Sequence, residues 1–235
     1  MPAGLFGKLP AKRDFIATNA PRGFLEVWEA WLQAGVATSK QMLGAQWADA
    51  YNRAPIWRFW LGADLFGEAT IGAFMPSVDG VGRAFPLAVF VGEGELSLPP
   101  PELEPNDAWC EAAEATLLGA LEAGATLESV AAEVATMPPP ALQPRAAELP
   151  GFSELSDGCV VARGADKGFA LIFLAARRFG WRRAFGAQSF WWTVGGGGFP
   201  PVALSQVGLP QPTRFVDLLT GSFDGSVLAP PEPAP

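Results

Sequence analysis

Three consecutive apolar segments, IWRFWLG (56–62), ATIGAFMPSV (69–78) and RAFPLAVFVGE (83–93), constrain the fold more than any other feature of this chain. Each has the length of a strand and is bounded by Gly or Pro. The first alternates only in part, and the third is apolar for most of its length, the pattern of a strand covered on both faces. A sheet covered twice needs helices on either side. One is supplied upstream by PRGFLEVWEAWLQAG (21–35), where Asn19-Ala20-Pro21 reads as a cap with proline at the first helical position. Phe24, Trp28, Trp31 and Gly35 fall on one face of it, as a stripe that packs into a core does. A short helix follows at AQWADAYNRA (45–54).

Downstream, a Pro-, Gly- and Glu-rich loop (92–105) precedes two helices, 106–124 and 126–137, with Asn106 and Thr126 as caps. A loop opening on three prolines spans 138–157. Strands are expected at GCVVARG (158–164), GFALIFLAARR (168–178), QSFWWTVG (188–195) and PVALSQVG (201–208), then a helix at PTRFVDLLTG (212–221). Neighbouring strand residues point to opposite faces, so Trp191 and Trp192 are each expected to fill a separate helix–sheet interface. The expected architecture is α/β, a three-layer arrangement with a mixed central sheet and helices on both faces. Residues 1–225 read as a single domain and 226–235 as a disordered Pro-rich tail.

Composition then narrows function. The chain has no histidine, which removes Ser-His-Asp and Cys-His nucleophile systems, HExxH metal sites and imidazole bases. It has one tyrosine, Tyr51, and two cysteines, Cys110 and Cys159, whose separation fits no metal spacing. A disulfide between them is possible, but they read rather as reduced, buried thiols of a cytosolic protein. A net charge of -8 argues against nucleic acid as a partner. No apolar leader precedes residue 13, and the apolar runs are too short to span a bilayer, so a cytoplasmic protein without membrane insertion is expected. No Lys or Arg stands between Arg83 and Arg145 while glutamates accumulate there, giving an acidic face that is either a solvated surface or a dock for a basic partner. Arg177, Arg178, Arg182 and Arg183 form a basic cluster that either pairs with those helices or faces a partner.

Two short stretches invite a chemical reading. GLFGKLP (4–10) has the Gly-Lys pair of a phosphate loop, but Pro2 stands where the first glycine belongs and Leu9 where the magnesium-binding hydroxyl belongs. It reads instead as a first strand turning at Gly7-Lys8, with Lys8, Arg13 and Asp14 near one end of the sheet. MPSVDGVGR (75–83) brings Ser77, Asp79 and Arg83 together as a structural turn, a partner contact or a small-anion site with Arg83 as donor. No GxSxG elbow surrounds Ser77 and no histidine exists to activate it, so no catalytic residue, cofactor or metal ligand is assigned.

Six segments in order, GLFGKLPAKRDF, PRGFLEVWEAWL, APIWRFWL, MPSVDGVGRAFPLAV, QSFWWTVG and GLPQPTRFVDLL, resemble the type VI secretion system-associated TagF proteins over roughly residues 3–221. Where that family usually has Arg-Gly before Asp-Phe, this chain has Lys12-Arg13, and glycine takes backbone angles that arginine resists. The resemblance implies a three-layer α/β fold. It also implies a regulator rather than an enzyme, one that represses type VI secretion after translation and is linked to a cytosolic forkhead-associated-domain scaffold protein. Some relatives carry a phosphatase domain, for which 235 residues leave no room, so that activity is not expected. Lys8, Arg13, Asp14, Ser77, Asp79 and Arg83 are the partner-binding candidates. The alternative is a small-anion or phosphate-binding protein, or a carboxylate-dependent enzyme, with its site near Ser77, Asp79 and Arg83.

Overall fold

The computed structural model describes residues 2–143, 152–157, 159–163, 173, 176 and 180–223. The elements are β1 (Gly4–Gly7), β2 (Ile16–Thr18), α1 (Arg22–Leu43), α2 (Trp47–Arg53), β3 (Trp57–Leu61), β4 (Thr70–Met75), β5 (Leu87–Gly92), α3 (Asp107–Gly119), α4 (Leu127–Thr136), β6 (Phe152–Glu154), β7 (Val160–Ala162), β8 (Gln188–Thr193), β9 (Val202–Val207) and α5 (Arg214–Thr220). A seven-stranded sheet has the order β2-β1-β5-β4-β3-β8-β9, and β6 and β7 form a separate pair.

Every pairing in the large sheet is antiparallel, which corrects the expected mixed sheet. Unbroken apolarity reports that both faces are covered, not which way the neighbouring strand runs. Alternation along the strands divides the core accordingly. Trp57, Phe59, Leu61, Phe74, Ala88, Phe90 and Trp191 join the stripe Phe24, Trp28, Trp31, Leu32 and Val36 of α1, with Tyr51 of α2 and Phe215, Leu218 and Leu219 of α5. Trp60, Ile71, Ala73, Met75, Leu87, Val89, Val91 and Phe190 pack with Trp109, Cys110, Ala113 and Leu117 of α3 and Val130 and Val134 of α4.

The α1 face is predominantly aromatic. Trp28 lies 4.4 Å from Phe59 and stacks parallel to Trp191 at 5.9 Å, and Trp31 meets Trp191 at 4.8 Å. Two indole N–H groups reach backbone carbonyls of the late chain: Trp31 Nε1 donates to Pro210 O at 2.7 Å and Trp57 Nε1 to Leu218 O at 2.8 Å. Gly35 lets α1 approach α5, since a Cβ there would stand 2.6 Å from the Phe215 ring. On the other face Arg58, almost fully buried in β3, grips Glu114 of α3 through Nε at 2.6 Å and Nη2 at 3.0 Å. This bidentate pair fastens the acidic helix to the sheet.

Several local expectations change. α1 begins at Arg22 without a side-chain cap; Asn19, at φ 48°, instead donates to Ala3 O. Asn106 does not cap α3 either: it sits at φ 55° and accepts from Ala141 N at 2.6 Å. Thr126 does cap α4, in a reciprocal box with Ser129. In the expected strand 168–178 the described residues Phe173 and Ala176 are helical, as is 180–185, because a short apolar run does not distinguish a buried strand from a helix. Cys110 is buried and Cys159 exposed, so only one thiol is where the sequence reading placed it. Trp191 is fully buried, whereas Trp192 is only half-buried against the α3 face. The expected tail, 226–235, lies outside the described residues, as do Arg177 and Arg178. Arg182 lies 3.7 Å from Glu93, which follows β5, rather than on an acidic helix.

Candidate functional site

Gly7 ends β1 at φ 135°, a conformation that favours glycine, and a Cβ there would strike the Pro86 carbonyl. The turn it permits delivers Lys8, 7% exposed, beneath the loop that joins β4 to β5. In that loop the Asp79 side chain is fully buried. Its Oδ2 lies 2.9 Å from Lys8 Nζ and 2.6 Å from Arg83 Nε. Its Oδ1 accepts the amides of Val81 at 3.1 Å and Arg83 at 2.9 Å, closing the turn from within. Burial alone would push the Asp79 carboxyl up. The hydrogen bond from Lys8, with those from Arg83 and Val81, outweighs that and holds it well below the usual carboxylate range.

The same cluster binds the loop to the segment after β1. Arg83 Nη2 donates to Arg13 O at 2.6 Å, and Gly80 N donates to Lys12 O at 2.7 Å. Ser77 Oγ donates to Lys8 O at 2.7 Å, while Tyr51 OH donates to Ser77 O and accepts from Ser77 N at 3.0 and 3.1 Å. Burial is the main reason the Tyr51 phenol is pushed above its ordinary pKa, so it stays a hydroxyl. Of the six candidates, Lys8, Ser77, Asp79 and Arg83 come together by side chain. Arg13 contributes its carbonyl, and its side chain and that of Asp14 are exposed. Arg13 needs no glycine-like angle: Asn19 and Asn106 are the non-glycine residues at positive φ among those described.

Chemically the cluster is closed upon itself. Asp79 occupies the place that a phosphate or carboxylate ligand would take between Lys8 and Arg83, and a second anion there would meet its charge. Ser77 is buried, and its hydroxyl donates to the Lys8 carbonyl rather than to a side-chain base. An open cleft of about 680 Å³ lies elsewhere, between the 43–53 segment, the glycine turn 197–200 and the end of α5, and none of the six residues lines it. Among the described residues no group of three His, Cys, Asp or Glu stands where it could hold a metal ion.

Sequence reading missed the aromatic part of this tip. Phe15 stacks on Phe6 at 6.1 Å, meets Phe85 edge-on at 4.8 Å and has Lys8 Nζ 5.2 Å from its ring centre, yet it is 46% exposed. Val81, at the apex of the turn, is 56% exposed. Two signals were present: Phe15 follows the charged run Lys12-Arg13-Asp14, and Val81 lies between two glycines, a place where a large apolar residue has little core to enter.

Residues 4–137, more than half of the chain, match the family described as TagF N-terminal domain, type VI secretion system-associated. The chain belongs to the TagF family. It is similar to a protein of known crystal structure, PA0076 from Pseudomonas aeruginosa PAO1, with 33% identity and a TM-score of 0.77 over 98% of this chain and 100% of that one. No curated protein matches it in sequence. The ion cluster, both loops of the tip, α1 and strands β1 to β5 lie inside the TagF match, whereas β8, β9 and α5 lie beyond it. Among the described residues no helix is long and apolar enough to cross a membrane.

Proposed function

We propose that this TagF protein restrains a bacterial type VI secretion apparatus after translation, in the cytoplasm, by binding a forkhead-associated-domain scaffold protein, and that it is not an enzyme. The observation that carries this reading is the match of residues 4–137 to a type VI secretion-associated family. The candidate site supports a binding role, because its one buried carboxylate and its serine hydroxyl are engaged in holding two loops together. Helices packed on either side of the sheet fit the three-layer organisation the resemblance implies, a rigid body suited to presenting loops.

The test has a genetic and a biochemical arm. Deleting the gene in its host raises secretion of a type VI substrate, and overexpression silences it. Purified protein binds the purified scaffold of the same system at low salt, and binding weakens as salt rises. If neither manipulation changes secretion and no binding is seen at low salt, the regulator reading is abandoned.

A further inference from the structure

The tip formed by the 8–15 segment and the 77–85 turn departs from the rest of the molecule in both charge and polarity. The protein carries a net charge of -8, yet here four cations, Lys8, Lys12, Arg13 and Arg83, stand against two carboxylates, Asp14 and Asp79. Asp79 is buried, so its charge is spent internally on Lys8 and Arg83. What faces solvent is the outer part of Arg83, with a side chain 61% exposed, Arg13, the Lys12 amine 3.7 Å from Glu128 of α4, and Asp14. Phe15, with Lys8 Nζ 5.2 Å from its ring centre, and Val81, whose amide Asp79 accepts, are two of the large apolar residues left open to water.

Exposed aromatic rings are ordinarily free to turn, and fixing one on binding costs entropy. Phe15 is already fixed. Phe6 supports one face, Phe85 abuts it edge-on and Lys8 lies over the ring. The main chain at Val81 is fixed as well, because Asp79 Oδ1 accepts its amide and the Gly82 amide reaches the Asp79 carbonyl at 2.9 Å. The loops cannot separate without breaking the bonds from Arg83 to Arg13 O and from Gly80 to Lys12 O. A preset aromatic ring and an apolar turn residue on the two joined segments that also carry Arg13 and Arg83 have the composition of an interface centre, in which aromatic and arginine residues dominate.

We infer that this tip is the surface through which the protein docks on its partner, and that the complementary surface is a protein face with a shallow apolar pocket for Phe15 and a rim of carboxylates for Arg13 and Arg83. This rests on the regulator reading above and adds to it the contact face and the chemistry of the partner. The buried Lys8–Asp79 pair, with the Nε side of Arg83, then acts as the device that positions the tip, and the contact is made by Phe15, Arg13 and the exposed outer part of Arg83.

The test uses the full chain, with Phe15→Ala to remove the anchor and Arg13→Glu to reverse a rim charge. Arg13 contributes only its backbone carbonyl to the cluster, so the second variant keeps the fold even where the first loosens it. Val207→Ser, on the exposed side of the edge strand β9, is the control. The expected result is a loss of affinity for the forkhead-associated scaffold of about tenfold or more for each tip variant, none for the control, and a weaker salt dependence for Arg13→Glu. Unchanged affinity in both tip variants overturns the inference. Should wild type silence secretion but not bind the scaffold, the partner is wrong, and silencing itself decides: tip variants that silence as wild type does overturn the surface, and those that fail to silence support it. Should wild type neither bind nor silence, both readings fall. A dimer of wild type in solution that Phe15→Ala dissolves assigns the tip to self-association and also overturns the inference.

Discussion

Gly35 in the middle of α1 sets helix propensity against packing, and the structure says which prevails. Replacing a helix-interior glycine by alanine ordinarily stabilises a helix by about 1 kcal/mol. Here the new methyl would stand 2.6 Å from Cδ2, 2.7 Å from Cγ and 3.1 Å from Cβ of Phe215. Carbon atoms rest at about 3.5 to 4.0 Å, so ring and helix must part by about 1 Å. Phe215 is 1% exposed and lies edge-on to Trp31 at 5.6 Å, and Trp31 is tied in turn to Pro210 O. The ring therefore has no free space to enter, and overpacking that forces ring and helix apart costs about 2 to 3 kcal/mol, the upper part of the usual range. The expected net effect of Gly35→Ala is a destabilisation of about 1 to 2 kcal/mol, a fall in Tm of about 3 to 6 °C for a chain of this size. Scanning calorimetry and urea unfolding measure it. Gly119→Ala, at the end of α3, is the companion, because its nearest neighbour is a movable Glu133 carboxylate at 3.4 Å, and it gains up to about 1 kcal/mol. A Gly35→Ala protein as stable as wild type would refute the claim that this glycine sets the distance between α1 and α5.

Trp191→Ala should cost about 3 to 5 kcal/mol, and Trp192→Ala about 1 to 2 kcal/mol because only part of its ring leaves water; equal losses by urea unfolding would contradict the half-buried position of Trp192. The depressed Asp79 pKa makes a stability contribution that is fully present above the unfolded value near pH 4 and is lost as pH falls further towards the folded value. Asp79→Asn should therefore be less stable than wild type at pH 7 and lose less of its stability between pH 4 and 2.5, as read by urea unfolding at each pH; parallel acid profiles would show that Asp79 is not held by Lys8 and Arg83.

Strands carried by local pattern were legible in the sequence. β3, β4, β5, β8 and β9 fall within the apolar segments, because alternation and Gly or Pro boundaries are short-range signals. Neighbour order was not legible. Nothing local in Gly4–Gly7 says that it lies beside β5, nor in Gln188–Thr193 that it lies beside β3, since these pairings are decided by packing between distant segments. Caps failed for a related reason: Asn19 and Asn106 have the right chemistry, but each is drawn to a backbone group elsewhere, Ala3 O and Ala141 N. The sequence grouped Lys8 with Arg13 and Asp14, and Asp79 with Ser77 and Arg83; the fold joins the two groups by pairing Lys8 with Asp79. That Phe15 and not Ser77 is the accessible group could be seen only once the neighbours of each were known, because exposure belongs to the folded surface.

The sheet order has a consequence for how the polypeptide is made. β3 pairs on one side with β4, nine residues or so further along, and on the other with β8, whose Trp191 stands opposite Phe59 across more than a hundred residues. On a ribosome, which releases the chain from its amino end at about 5 to 20 residues per second, β1 to β5 emerge many seconds before β8 does. Throughout that interval one side of β3 is an open hydrogen-bonding edge flanked by Trp57 and Phe59, the kind of edge on which nascent chains associate. The family match, residues 4–137, ends within this interval, before β8, β9 and α5 complete the sheet and its aromatic face. The protein becomes safe from its neighbours only when its last strands and α5 have closed over the aromatic face.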